Sequence, residues 1–91
     1  MAKRKRVVYR VHYVGRAVSH WKWQVTMIRL DGMREIFSRW STKARAVASA
    51  VEEARARWRI SGELTQVVVM NKDGRISREM TYGKDPARRK G

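Results

Sequence analysis

Arg10, Lys22, Gln24, Arg29, Arg34, Arg39, Lys43 and Arg45 are the residues whose types and spacing can do chemistry in this chain. That chemistry is the neutralisation and hydrogen bonding of phosphate. Val7-Val8-Tyr9-Arg10-Val11-His12-Tyr13 and Trp21-Lys22-Trp23-Gln24-Val25 show the pattern most plainly: polar and cationic residues alternate with apolar and aromatic ones. In an extended chain, alternation of this kind separates an oily face from a cationic face. The whole sequence carries 22 Lys and Arg against 8 Asp and Glu in 91 residues, a formal net charge of +14. Self-repulsion of this size opposes compactness and exceeds what solubility needs. It implies a polyanionic partner, of which nucleic acid is the commonest.

Other chemistries find little support. The chain has no cysteine, so disulfides, thiol catalysis and Cys-type zinc sites are excluded. His12 and His20 fall on different expected elements, with no acidic residue at ligand spacing, so no metal site is expected. The acids are scattered and mostly sit beside basic residues. No nucleophile motif and no glycine-rich phosphate loop occurs. The expectation is a non-enzyme without cofactors. Among the four tryptophans, Trp23, Trp40 and Trp58 read as core, and Trp21 fits core or contact equally.

The elements that must position these residues follow from periodicity. Residues 2–6 form a basic arm, including Lys3, Arg4, Lys5 and Arg6. A strand is predicted over 7–14, with Val7, Tyr9, Val11 and Tyr13 on one face and Val8, Arg10 and His12 on the other. After a loop at 15–19, a second strand spans 21–30, with Trp21, Trp23, Val25 and Met27 sharing a face. Asp31-Gly32 makes a hairpin turn, and residues 33–40 make a third strand. Thr42 then caps a helix over about 43–59. Its expected buried stripe is Ala44, Val47, Ala48, Val51, Ala54 and Trp58. Glu53 and Arg57 are spaced for a surface pair, and Ser61-Gly62 ends the helix. Strands over 64–70 and 75–82 flank a turn at Asn71-Lys72-Asp73-Gly74. The expected fold is α+β, a single antiparallel sheet with one packed helix in the order β-β-β-α-β-β. It divides into a basic arm (1–6), one domain (7–83) and a basic tail (84–91).

Charge placement sharpens the reading. Lys43 and Arg45 in the first helical turn have the wrong sign for the helix dipole, which suits a docked phosphate. Arg55, Arg57 and Arg59 near the other end have the stabilising sign and read as structural. The arm and the tail could follow a backbone or a minor groove. The charged start leads into no long apolar stretch, so neither a secretory signal nor a membrane span is expected.

Two resemblances bear on this. Trp40-Ser41-Thr42-Lys43-Ala44-Arg45-Ala46, following three strands, resembles the arm-type DNA-binding domain of tyrosine recombinases over about residues 7–60. The resemblance implies a three-stranded sheet entering the major groove with the helix behind it. Lys22, Gln24, Arg34 and Arg39 would then be sheet contacts, and no recombinase reaction is implied, because the catalytic domain has no counterpart here. The second half is similar to a family of small uncharacterised bacterial and phage domains. It carries Val67-Val68-Val69-Met70-Asn71-Lys72-Asp73-Gly74-Arg75-Ile76 and then Thr81-Tyr82-Gly83-Lys84-Asp85-Pro86. This likeness implies the fold and no activity. Arg45 and the long basic first strand depart from that family by adding positive charge.

The sequence therefore predicts a small DNA-binding protein, phage-encoded if the second resemblance holds, that contacts duplex DNA with a basic sheet face and basic tails. The alternatives are an RNA-binding protein and a module that binds an acidic protein partner. A homodimer through an open sheet edge is a further expectation, as is a cytoplasmic, nucleoid-associated location.

Overall fold

The computed structural model describes residues 6–15 and 21–83. Five strands and one helix follow in the expected order: β1 (Val7–Tyr13), β2 (Trp23–Ile28), β3 (Arg34–Trp40), α1 (Lys43–Ser61), β4 (Thr65–Met70) and β5 (Ile76–Tyr82). They build one five-stranded sheet, ordered β3-β2-β1-β4-β5, with the helix packed on one face. The class is α+β. The sheet is antiparallel except at its centre, where β4 lies parallel to β1. The helix is the cause. A 19-residue helix rises about 28 Å, enough to carry the chain back along the sheet. β4 therefore starts at the same end as β1.

The local devices are those that the residue types call for. The Thr42 side chain accepts from the Arg45 amide, and Gly62 closes the helix in the left-handed region with its amide donating to the Trp58 carbonyl. In β1, β2 and β4 every second residue is buried: Val7, Tyr9, Val11, then Trp23, Val25, Met27, then Thr65, Val67, Val69. These residues face the helix and form the core. Thr65 is buried with its hydroxyl donating to the Ala54 carbonyl. Among the described residues no buried side-chain nitrogen or oxygen lacks a hydrogen-bond partner.

The helix meets this core on a different stripe from the one predicted. Its buried residues are Ala46, Ala50 and Ala54. Ala44 and Ala48 are exposed, Val47 and Val51 are half-buried, and Trp58 is 43% exposed. The sequence has two apolar stripes about one residue apart, and side-chain size decides between them. Alanine lets the helix backbone sit close to Tyr9, Val11 and Trp23, which fill the space from the sheet side. The bulkier stripe turns toward β5, where the helix makes little contact. Trp58 is thus not a core residue, whereas Trp23 is buried and Trp40 is half-buried.

The expected Glu53–Arg57 pair is replaced by a longer-range network. Arg57 Nε donates to the Tyr9 hydroxyl at 2.8 Å, and its Nη1 pairs with Glu63 at 2.9 Å. Burial pushes the Tyr9 phenol above its ordinary value, and the bonds to Glu63 and Tyr9 raise the Arg57 guanidinium. This network fastens the last turns of α1 to the middle of β1.

Candidate nucleic-acid interface

The helix covers one face of the sheet, and among the described residues no element covers the other, open face. Register with the buried strands assigns the open-face residues of β3 and β5. One row runs Ile36, Thr26, Arg10, Val68 and Glu79 across β3, β2, β1, β4 and β5. The next runs Arg34, Ile28, Val8, Gln66 and Thr81. A third row places Arg39, Gln24 and His12 side by side on β3, β2 and β1, with Met70 and Ile76 paired beyond them. Lys22 continues the alternation of Gln24, and its carbonyl accepts from the Val14 amide one step past the strands.

The open face is polarised. Arg10, Arg34, Arg39 and Lys22 all stand over β1–β3. The half over β4 and β5 holds Gln66, Val68, Met70, Ile76 and Thr81, with a single acid, Glu79, engaged by the Gln66 amide at 3.2 Å. β1–β3 contain one acidic residue, Glu35, which pairs with Arg29 on the helix side of the sheet. Among the described residues, Arg10, Lys22, Arg34 and Arg39 have no acidic partner.

A hydrogen-bonded chain crosses this half. Arg39 Nε donates to Gln24 Oε1 at 3.1 Å, and Gln24 Nε2 donates to Thr26 Oγ1 at 3.2 Å. The same hydroxyl lies 2.9 Å from His12 Nε2. Partial burial, aided by the charge of Arg10, holds His12 below its ordinary pKa.

A second group of cations lies at the sheet end where β1, β3 and β4 finish and α1 begins. Lys43 donates to Asn71 Oδ1 at 3.0 Å and sits 5.7 Å from the Trp23 ring centroid. Lys72 stands 4.9 Å over the Tyr13 ring, which packs 5.2 Å from Trp23. Both placements are cation–π contacts. They fix the two ammonium groups without a carboxylate. Arg45 is exposed one turn into the helix. Trp23 and Tyr13 belong to the helix side of the sheet, so Lys43 and Lys72 lie around the sheet end from Lys22 and Arg39.

The predicted site residues therefore separate. Arg10, Lys22, Gln24, Arg34 and Arg39 share the open half-face, and Lys43 and Arg45 lie in the first turn of α1, on the helix side of the sheet. Arg29 does not belong to the half-face, because its guanidinium is bonded to Glu35 on the other side. Arg6, expected as part of a free basic arm, donates to the carbonyls of Thr65, Tyr82 and Gly83 and ties the start of β1 to β4 and β5. Lys3, Arg4, Lys5 and the 84–91 tail lie outside the described residues. Sequence reasoning missed Lys72, because only the parallel β1/β4 pairing brings it to Tyr13. It also missed the His12–Thr26–Gln24–Arg39 chain, which depends on strand register.

A concavity of about 320 Å³ near the helix C-terminus is lined by Val7, Met27, Arg29, Leu30, Asp31, Arg57 and Glu63. Its arginines are already engaged by glutamates. Among the described residues no three His, Cys, Asp or Glu side chains converge as metal ligands, and no helix is long and apolar enough to cross a membrane. No protein-family model, curated protein or solved structure matches the chain.

Proposed function

We propose that this is a non-enzymatic nucleic-acid-binding protein that lays the β1–β3 half of its open sheet face against the phosphate backbone of duplex DNA. The observation that carries the reading is the set Arg10, Lys22, Arg34 and Arg39, displayed together without an acidic partner among the described residues, while Glu35 is turned away and neutralised. Lys43, Arg45 and Lys72 extend the contact around the sheet end.

Duplex backbone suits this face better than unstacked bases. The open-face positions of the five strands hold no Phe, Tyr or Trp, so bases find no stacking platform there. Neighbouring strands lie about 4.8 Å apart, which makes a five-stranded sheet about 19 Å wide between outer axes. The DNA major groove is about 12 Å wide. The sheet as a whole is therefore wider than the groove and rests on its rim, the β1–β3 half lying against one phosphate wall with Gln24 on its middle strand. Binding of this kind tolerates many sequences.

The test is fluorescence anisotropy of a labelled 25-base-pair duplex, using nuclease-treated protein and unlabelled RNA of equal length as competitor. About six phosphate contacts give a log–log salt slope near −5, so affinity falls about 10³-fold between 50 and 200 mM salt. A shallow slope removes the mechanism. RNA that displaces DNA efficiently moves the assignment to RNA. If neither binds at low salt, the charge serves an acidic protein.

A further inference from the structure

His12 stands on the open face beside the cations assigned to phosphate, in a place that suits a proton-linked contact. It follows Arg10 by two residues on β1, pairs across to Gln24, and touches Thr26. The hydrogen-bonded chain through it has a direction. Arg39 donates to Gln24, Gln24 donates to the Thr26 oxygen, and in the His12 tautomer protonated at Nδ1 the Thr26 hydroxyl donates to Nε2. A hydroxyl oxygen has two acceptor lone pairs. Once Nε2 carries a proton, Thr26 accepts from both Gln24 and His12, and its own O–H must turn outward.

We infer that His12 is a proton-linked phosphate contact: a phosphate seated over Arg10, Gln24 and Arg39 draws a proton onto the ring, and the released Thr26 hydroxyl donates to the bound oxygen. The inference rests on the phosphate-backbone reading of this face. The surrounding charges support it. Arg10 on β1 opposes a charged ring in the free protein, Arg39 on β3 and Lys22 beyond β2 share its face, and Lys72 lies around the sheet end over Tyr13. The neighbouring β2 and β4 positions Gln24, Thr26 and Met70 are uncharged, and Glu79 on β5 is two strands away and held by Gln66. A docked phosphate reverses the local sign. The ring is half-buried and below its ordinary pKa in the free state, and the negative charge of a docked phosphate favours its protonated form. By linkage, affinity rises as pH falls below the bound-state pKa, up to tenfold for each unit by which binding raises that value.

The experiment is duplex binding at pH 5.5 and 7.5 across several salt concentrations, for the wild type and His12→Gln, with His12 titrated by NMR in both free and bound protein. The second histidine, His20, is present in both proteins and cancels in the comparison. The wild type should gain about 0.9 in salt slope at pH 5.5 relative to pH 7.5, the increment of one further phosphate contact. His12→Gln should lack that increment, and the bound His12 should titrate higher than the free. Steep salt-dependent binding with equal wild-type slopes and an unmoved His12 titration overturns this inference and leaves the phosphate reading intact. Absence of salt-dependent binding at either pH overturns both. Thr26→Val guards against a folding artefact, because it keeps His12 and should reduce the low-pH gain.

Discussion

The Tyr9–Arg57 bond allows a quantitative test of how the helix is fastened beneath β1. Tyr9 is fully buried, and Arg57 Nε donates to its hydroxyl at 2.8 Å. Tyr9→Phe takes the acceptor from a charged donor, a bond worth about 1.5–3 kcal/mol. The Arg57 side chain is 31% exposed, so water recovers part of the loss, and the low end, about 1.5 kcal/mol, applies. Arg57→Met leaves the buried phenol unpaired, at about 1–3 kcal/mol, and removes the partly exposed Glu63 pair, at about 0–1 kcal/mol. In the double variant both partners are apolar and neither is orphaned. The two single effects should therefore fail to add by about 1.5 kcal/mol. Urea denaturation followed by tryptophan fluorescence measures this coupling, provided that the m-value is unchanged across the cycle. Coupling below about 0.5 kcal/mol, the range for independent sites, would refute the claim that this bond secures α1 to β1.

Gly83 has φ +89°, and a Cβ there would come within 2.7 Å of Leu64 Cδ2 and 2.8 Å of Trp58 Cδ1. Gly74, at φ +88°, has nothing within 4 Å. Gly83→Ala should thus cost more stability than Gly74→Ala, which bears only the backbone term of about 1–2 kcal/mol, and thermal melts of the two variants rank them. Ala50→Leu forces a large side chain between helix and sheet and should lose about 1–3 kcal/mol, whereas Ala48→Leu on the exposed stripe should stay within about 0.5 kcal/mol of wild type. The phenol of Tyr9 is raised by burial, so its stabilisation is complete below the ordinary tyrosine range and is lost as pH climbs through the folded-state value. Tyr9→Phe should flatten the fall in stability above about pH 10.

Strands and turns were legible in the sequence because each rests on short-range chemistry. Alternation marked β1 and β2, the β-prone run around Val67-Val68-Val69 marked β4, Thr42 marked the helix start, and Asp31-Gly32 and Asp73-Gly74 marked the hairpins. The helix stripe was not, because Ala44/Ala48 and Ala46/Ala50/Ala54 have equal claim by period, and the size of Tyr9 and Trp23 on the facing strands decides between them. The candidate surface was half legible. Arg10, Lys22, Gln24, Arg34 and Arg39 share one face through the parity of two hairpin-linked strands and the third beside them. A bulge between Val25 and Thr26 shifts the register of β3, so the alignment of Arg39 with Gln24 and His12 needed coordinates. Arg29 stands apart from the open face because its alternation runs past the end of β2, where it pairs with Glu35. The tie that Arg6 makes was not legible because its three acceptor carbonyls belong to Thr65, Tyr82 and Gly83, far along the chain.

The most direct measurement compares two charge reversals of equal size. Arg10→Glu with Arg39→Glu alters the open half-face, while Arg55→Glu with Arg59→Glu alters the exposed helix surface and leaves the formal net charge the same as in the first pair. Duplex binding is read at fixed salt, with circular dichroism confirming that both proteins are folded. Removal of two phosphate contacts should lower the salt slope by about 1.8 for the sheet-face pair and leave the helix pair close to wild type. Equal weakening by both would mean that bulk charge alone attracts the DNA, and the open sheet face would lose its role as the binding surface.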